Sequence, residues 1–240
     1  WKTLGKVNGS TFQPGDQILF KAGCVFNGTL QFSSSGASGN PIIVGKYGSG
    51  SNPTIIGPGT SDSSAVRLFN QQYITLQNLI INNPGSTDDY RSGIIVEGQG
   101  AGTLNGITLQ NLEITNIRGR YDWQDPKFKN AGIFVKITDP NNNLPVTKFN
   151  NLTIQNNYIH DITEIGTFFV SPASYNFTPS KWHTNVAIRS NIYSKCGGDS
   201  LIVGYSDAPI IEYNIADDSG YGVGSACYCI CGLWVYNTNN

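Results

Sequence analysis

The sequence predicts an all-β protein, a parallel β-helix. Three observations carry this prediction. One short apolar phrase recurs along the chain, a second, glycine-led strand signal follows each copy, and residues 1–70 are a series of turns that each feed a short apolar run. Alternation over so few residues marks short strands rather than helix. Repetition at intervals of about 20–50 residues marks supersecondary units that stack on one another.

Residues 1–70 read as opening coils. Pro14-Gly15-Asp16 feeds 17–20, Gly28 feeds 29–32, Gly39-Asn40-Pro41 feeds 42–44, and Asn52-Pro53 feeds 54–57. Each is a turn signal followed by a strand signal. Residues 71–240 read as regular coils of the same single domain. Ile74-Thr75-Leu76-Gln77-Asn78-Leu79 returns as Ile107-Thr108-Leu109-Gln110-Asn111-Leu112 and as Leu152-Thr153-Ile154-Gln155-Asn156-Asn157. A weaker copy is Val186-Ala187-Ile188-Arg189-Ser190-Asn191, and the register implies a last one from 209. The starts 74, 107, 152, 186 and 209 are separated by 33, 45, 34 and 23 residues. The shortest step is a bare coil, so the extra residues are loops pushed outward. Each phrase precedes a second strand, at 93–97, 132–136, 166–170, 200–204 and 220–224. One unit is therefore strand, Asn-containing corner, strand and loop. Asn78, Asn111, Asn156, Asn191 and Asn214 suit such corners, because Asn tolerates left-handed backbone and bonds main chain in turns. Leu76, Leu109, Ile154 and Ile188 should form one inward ladder.

The composition narrows the function. The chain has 240 residues, 13% of them charged, and a net charge of −1. It has no basic cluster, which argues against a nucleic-acid partner. No apolar run approaches the ~20 residues of a membrane span. Many Asn, Thr, Ser and Tyr suit a surface that meets sugars. The absence of Met and a strand-and-corner signal at 232–237 lead us to expect a piece of a longer helix, truncated at both ends. Its open coils then allow end-to-end self-association or additional domains. Five Cys are present, and Cys227, Cys229 and Cys231 alternate. They read as small core side chains, a disulfide or a metal cluster, although zinc-type spacings are absent. No cofactor is identified, and bound calcium stays open.

Trp1-Lys2-Thr3-Leu4, then 14–23, 35–48 and the repeated phrase, resemble the right-handed parallel β-helix proteins of the pectate-lyase-like superfold. Among them, the order resembles secreted polysaccharide-degrading enzymes, hydrolases and lyases. The resemblance covers nearly the whole chain and implies an extracellular carbohydrate-active enzyme with a polysaccharide as its partner. Residues 198–203 resemble the Asp-containing strand start of polygalacturonase-type hydrolases, without their doubled Asp.

Aligning the glycine-led strands stacks Arg91, Asn130, Glu164, Gly198 and Asp218 in one column. Ser92, Ala131, Ile165, Asp199 and Ser219 fill the next. Carboxylates thus gather on three successive coils, as Glu164, Asp199 and Asp218. Residues one coil apart lie ~5 Å from each other, within the range that glycoside hydrolases use for an acid and its partner carboxylate. Asp beside Gly also makes ordinary turns and strand caps. Glu97 stacks above Lys136 as a surface ion pair; the resemblance alternatively makes Lys136 the base of a β-eliminating lyase. His160 beside Asp161 is either an acid–base pair or a capped turn. The insertions 118–130 and 171–183 are expected to leave at the same stage of the coil. Arg120, Tyr121 and Trp123 in the first, with Trp182 and His183 in the second, would then either line a saccharide groove or pin the loops down. The expected function is polysaccharide cleavage, by hydrolysis with Asp199, Asp218 and Glu164 or by elimination. A non-catalytic surface or filament protein is the alternative.

Overall fold

The computed structural model describes residues 3–120, 130–221 and 231–239. It is a parallel β-helix whose coils carry three strands rather than two. Each repeated phrase breaks at its corner into strands of two different sheets, and the glycine-led strand forms a third.

The first sheet stacks Gln17–Lys21, Ile42–Tyr47, Ile74–Gln77, Thr103–Gln110, Lys148–Gln155, Ala187–Arg189 and Ile210–Glu212. The second, a seven-stranded sheet, stacks Val25–Asn27, Thr54–Ile56, Ile80–Asn83, Glu113–Ile117, Tyr158–Ile162, Ile192–Cys196 and Ile215–Asp217. The third stacks Ser63–Phe69, Arg91–Gly98, Ala131–Ile137, Ile165–Val170, Leu201–Asp207 and Leu233–Asn239. All these pairings are parallel. The two-residue strand His183–Thr184 pairs with both Lys148–Gln155 and Leu201–Asp207, which joins the first and third sheets. A short helix, Leu4–Asn8, buries Leu4 and Val7 beside the first coil.

The coils stack because each alone leaves its inner face wet. Leu76, Leu109, Ile154 and Ile188 pair in register and are fully buried, as the phrase predicts. Ile81, Ile114 and Ile159 repeat the arrangement in the second sheet, and Leu68, Val96 and Val135 in the third. Burying each such side chain contributes about 1.5–3 kcal/mol. The outer face of the first sheet carries an amide ladder, in which Gln155 donates to Gln110 and Gln110 to Gln77, both at 2.8 Å.

Two Asn columns, not one, make the corner. Asn78, Asn111 and Asn156 hold the left-handed backbone at φ 56°, 52° and 56°. In the next coils that place passes to Ser190 and Tyr213, also at positive φ. Asn157, Asn191 and Asn214 stand one residue further on and form a ladder: Asn157 Nδ2 donates to Asn191 Oδ1 and Asn191 Nδ2 to Asn214 Oδ1, each at 2.9 Å.

The three-strand coil changes where the insertions leave. Residues 118–130 join the second sheet to the third, whereas 171–182 join the third to the first. The expectation of a shared stage, and of a groove shared between them, is therefore corrected. The alignment of 220–224 with the glycine-led strands is corrected as well. The strand that pairs with Leu201–Asp207 is Leu233–Asn239.

Candidate active site

The corner between the second and third sheets carries the polar residues. Its connections differ sharply in length: 118–130 before Ala131–Ile137, but only 163–164 before Ile165–Val170 and 197–200 before Leu201–Asp207. The next connection is again long, 218–232. Two short corners thus lie between two long ones, and Glu164 and Asp199 occupy the short pair.

Register places Glu164 beside Asn130 and Ile165 beside Ala131, and the Gly166 N–H donates to the Asp199 carbonyl. Glu164 and Asp199 are thus one coil apart in adjoining columns, as the alignment predicts. Both are nearly buried, at 9% and 3% exposure. The Asp199 carboxylate accepts the Cys231 N–H, and it has no cationic partner among the described residues. Burial pushes its pKa above the usual carboxylate value, against the smaller opposing effect of that backbone bond. Arg91, earlier in the Glu164 column, is fully engaged: its guanidinium donates to the carbonyls of Gly59, Thr87 and Arg118. Asn130, between Arg91 and Glu164, is buried, and neither atom of its amide has a partner among the described residues. A buried amide with nothing to bond costs about 1–3 kcal/mol, and such groups are rare in native folds.

An apolar row runs along the outer face of the third sheet beside this corner. Ile95, Phe134, Phe168, Ile202 and Trp234 follow one another in register. Phe134 and Phe168 stack at 5.7 Å. Ala131 and Ile165 pack into the same outer cluster, so the column that ends in Asp199 borders this row. Beyond the row, Glu97 accepts from Arg67 Nη2 at 2.8 Å and Nε at 3.1 Å, from Thr138 Oγ1 at 3.2 Å, and pairs with Lys136 Nζ at 3.3 Å. The expected Glu97–Lys136 surface pair is in fact a half-enclosed network of two cations on one carboxylate. Lys136 is committed to that network, which corrects its assignment as a base or a saccharide ligand.

Several expected site residues stand elsewhere. Asp218 is exposed at positive φ. The register that pairs Ser194 with Asp217 sets it beside Lys195, in the positive-φ position that Lys195 and Asp161 hold in the two preceding coils. Cys231, not Ser219, follows Asp199 in the column, so the third carboxylate is removed by the shifted register. Trp182 and His183 face the interior, at 4% and 0% exposure, which corrects their placement on a groove wall. The Trp182 indole donates to the Tyr175 carbonyl at 2.9 Å. His183 Nδ1 accepts the Phe149 N–H at 3.1 Å, so Nε2 carries the proton. That proton has no partner among the described residues, and burial drives the His183 pKa down to about 3, with Lys148 adding to the effect. Arg120 is exposed at the start of the long corner. Tyr121 and Trp123 lie outside the described residues.

His160 lies on the outer face of the second sheet, remote from the third-sheet strands. Asp161 holds its Nδ1 at 2.6 Å, Glu113 approaches Nε2 at 3.4 Å, and its ring stacks on Tyr158 at 4.0 Å. Carboxylates on opposite ring nitrogens cannot share one metal, and no metal-ligating cluster is found among the described residues. Cys196 is a core side chain, and burial pushes its thiol up to about 12. Cys24 and Cys231 are free thiols, while Cys227 and Cys229 lie outside the described residues. A cavity of about 550 Å³ opens at the first coil between Ile18, Phe20, Phe26 and Tyr47. It is several coils from Glu164 and Asp199, and its walls hold no carboxylate. No helix among the described residues is long and apolar enough to cross a membrane.

No protein-family model matches the chain. A lacto-N-biosidase of Bifidobacterium longum subsp. longum is 24% identical over 293 aligned residues, which take in 90% of this chain and 18% of that protein. The crystal structure of a GH136 lacto-N-biosidase from Eubacterium ramulus superposes with a TM-score of 0.86 at 24% identity. Its selenomethionine derivative gives 0.85 at 25%. Both superpositions cover 99% of this chain and 46% of that one. The chain therefore spans less than half the length of the relatives it matches. The likeness extends through every coil, and these relatives are carbohydrate-active hydrolases.

Proposed function

We propose that this chain is part of an extracellular glycoside hydrolase of the lacto-N-biosidase kind, with its catalytic centre at the two short corners of the third sheet. The observation that carries the proposal is Asp199: a nearly buried carboxyl, pushed toward its neutral form, one coil from a second carboxyl at Glu164. In this reading the neutral Asp199 donates its proton to the glycosidic oxygen as the bond from that oxygen to the sugar carbon breaks. The Glu164 carboxylate faces the positive charge that develops on the sugar and serves as nucleophile or as the base that directs water. The lacto-N-biosidase likeness supports the substrate class. A lyase with Lys136 as its base is the weaker reading, because the Lys136 ammonium pairs with Glu97; a lyase whose base lies beyond these residues is the other alternative.

The test is cleavage of a chromogenic lacto-N-bioside, with a panel of plant and algal polysaccharides alongside, by the protein in its full reading frame. Release from the lacto-N-bioside, absent in Asp199→Asn and in Glu164→Gln, is the expected result. Cleavage of the polysaccharides alone would move the substrate class. Full activity in both variants would move the catalytic centre away from this corner.

A further inference from the structure

Asn130 is the buried polar group that the proposed chemistry leaves unused. Asn83, Asn157 and Asn191 are buried as well, and each uses both ends of its amide. Asn83 accepts the Gly59 N–H and donates to the Ser92 carbonyl. Asn157 accepts the Leu112 N–H and donates to Asn191, which donates in turn to Asn214. Asn130, at 1% exposure, has neither a donor nor an acceptor opposite it among the described residues. Turning the amide over changes nothing, since both atoms lack a partner. Its place is nevertheless kept for it. Gly119 has ordinary backbone, and a Cβ there would come within 2.8 Å of the Asn130 Cβ. The polar groups around it are committed elsewhere. The Gly119 carbonyl accepts the Thr163 hydroxyl at 2.6 Å, and the Ser92 hydroxyl accepts the Ala131 N–H at 3.2 Å. The Arg91 guanidinium donates to three carbonyls. If the position only filled space, an apolar side chain of the same size would be more stable there.

Register sets Asn130 beside Glu164, one coil back at the ~4.8 Å spacing of paired strands. The proposed reaction puts Glu164 against the sugar carbon whose bond breaks. The ring carbon next to that one carries a hydroxyl or an acylated amine. Either group donates one hydrogen bond and accepts another, as the Asn130 amide does. We propose that Asn130 bonds this neighbouring substituent and makes its presence a condition of cleavage. This assignment rests on the catalytic reading above and adds to it the residue that reads the sugar. Hydrogen bonds to that ring position strengthen as charge develops on the sugar. Shielding from water raises their worth, because neither partner has solvent to bond instead. A substrate that lacks the group leaves the amide as unpaired as it is in the free protein, and gains nothing from it.

The test uses the protein in its full reading frame and three versions of the chromogenic lacto-N-bioside. They carry an acylated amine, a hydroxyl or only hydrogen at that ring position. Wild type should favour the better of the first two over the third by about 10²-fold or more in kcat/KM, and which of the two is better tells which group is read. Asn130→Ala should cut that preference to under about fivefold, mainly by lowering kcat on the favoured substrate. A merely structural role would slow all three substrates alike and leave the preference in place. Asn130→Leu keeps the volume without the polar atoms. It should lose the preference too, yet melt no lower than wild type in the absence of saccharide. A wild type without the preference, or variants that keep it within about threefold, overturns the assignment. So does an Asn130→Leu protein that melts well below wild type, because the amide would then have its partner within the fold. Activity lost in Asp199→Asn, with the preference intact in both Asn130 variants, overturns this assignment alone. A wild type that cleaves none of the three overturns both readings.

Discussion

Two corners of this β-helix hold similar side chains and put them to opposite use. At the short corner before Leu201–Asp207, a carboxyl is almost buried yet has only a backbone N–H as partner among the described residues. At the long corner 171–182, Trp182 bonds the Tyr175 carbonyl, the Tyr175 hydroxyl donates to the Thr147 carbonyl, and His183 turns inward against Phe149 and Phe169. The aromatic-rich insertion looks like a binding loop in sequence, but its polar atoms are spent on its own backbone. The Asp beside glycine looks like a turn residue, but burial pushes its pKa up, and the proposed function makes it the acid. Hydrogen-bond bookkeeping, more than residue type, separates a scaffold from a site.

The largest expected effect breaks the comparison at its first corner. Asp199→Asn should lower kcat/KM for the saccharide by about 10²–10⁴, the usual share of an acid catalyst. Its effect on stability has the opposite sign. The folded-state pKa of Asp199 is raised, so its contribution is complete below the unfolded value near 3.8 and is lost as pH rises through the folded value. Thermal melts should find Asp199→Asn at least as stable as wild type at pH 7, with that advantage gone by pH 3. A large drop in Tm at pH 7 would make Asp199 a structural cap.

Next in size is Glu97→Ala, which strands Arg67 and Lys136 on the outer face. Urea unfolding should register a loss of about 2–4 kcal/mol, less than for a wholly buried pair because Arg67 is more than a third exposed. Saccharide cleavage per folded molecule should change little.

His183 sharpens the contrast at the second corner. Its pKa falls from 6.5 to about 3 on folding. The unfolded chain therefore binds the extra proton between those values, and stability is present above pH 6.5 and lost as pH falls toward 3. The slope from this one group is at most about 1.4 kcal/mol per pH unit. His183→Gln, which keeps an acceptor for the Phe149 N–H, should flatten the acid limb of a stability–pH curve. An unchanged limb would mean that His183 is protonated in the fold.

The smallest effect is that of Trp182→Phe, which removes the bond to Tyr175 while keeping a ring. About 1 kcal/mol, or 2–4 °C in Tm, should be lost, with KM unchanged. A rise in KM would return Trp182 to the saccharide site.

What could be read without coordinates was whatever repeats. The inward ladder of Leu76, Leu109, Ile154 and Ile188, the stacking of coils and the steps of 33, 45, 34 and 23 all follow from period-two alternation, which is written in neighbouring residues. The pairing of Glu164 with Asp199 was legible for the same reason, since both belong to aligned repeats. The fate of Asp218 was not. Glycine-rich 220–224 imitates a strand start, and only the pairing of Leu201 with Leu233 places the last third-sheet strand further on. The sidedness of Trp182 and His183 was equally hidden. It depends on the coil having three strands, which puts insertions 118–130 and 171–182 on different corners.

By itself, the sequence determined the all-β class, the parallel stack and the inner face of each coil, because these are local patterns that any stable packing must satisfy. The tertiary structure alone decided which polar groups find partners. Asn130 has none among the described residues and Lys136 has Glu97, and the Tyr236 ring packs over Gly204, where a side chain would strike it. Those outcomes depend on contacts between residues tens of positions apart, where hydrogen bonding and desolvation act on neighbours that no local pattern names.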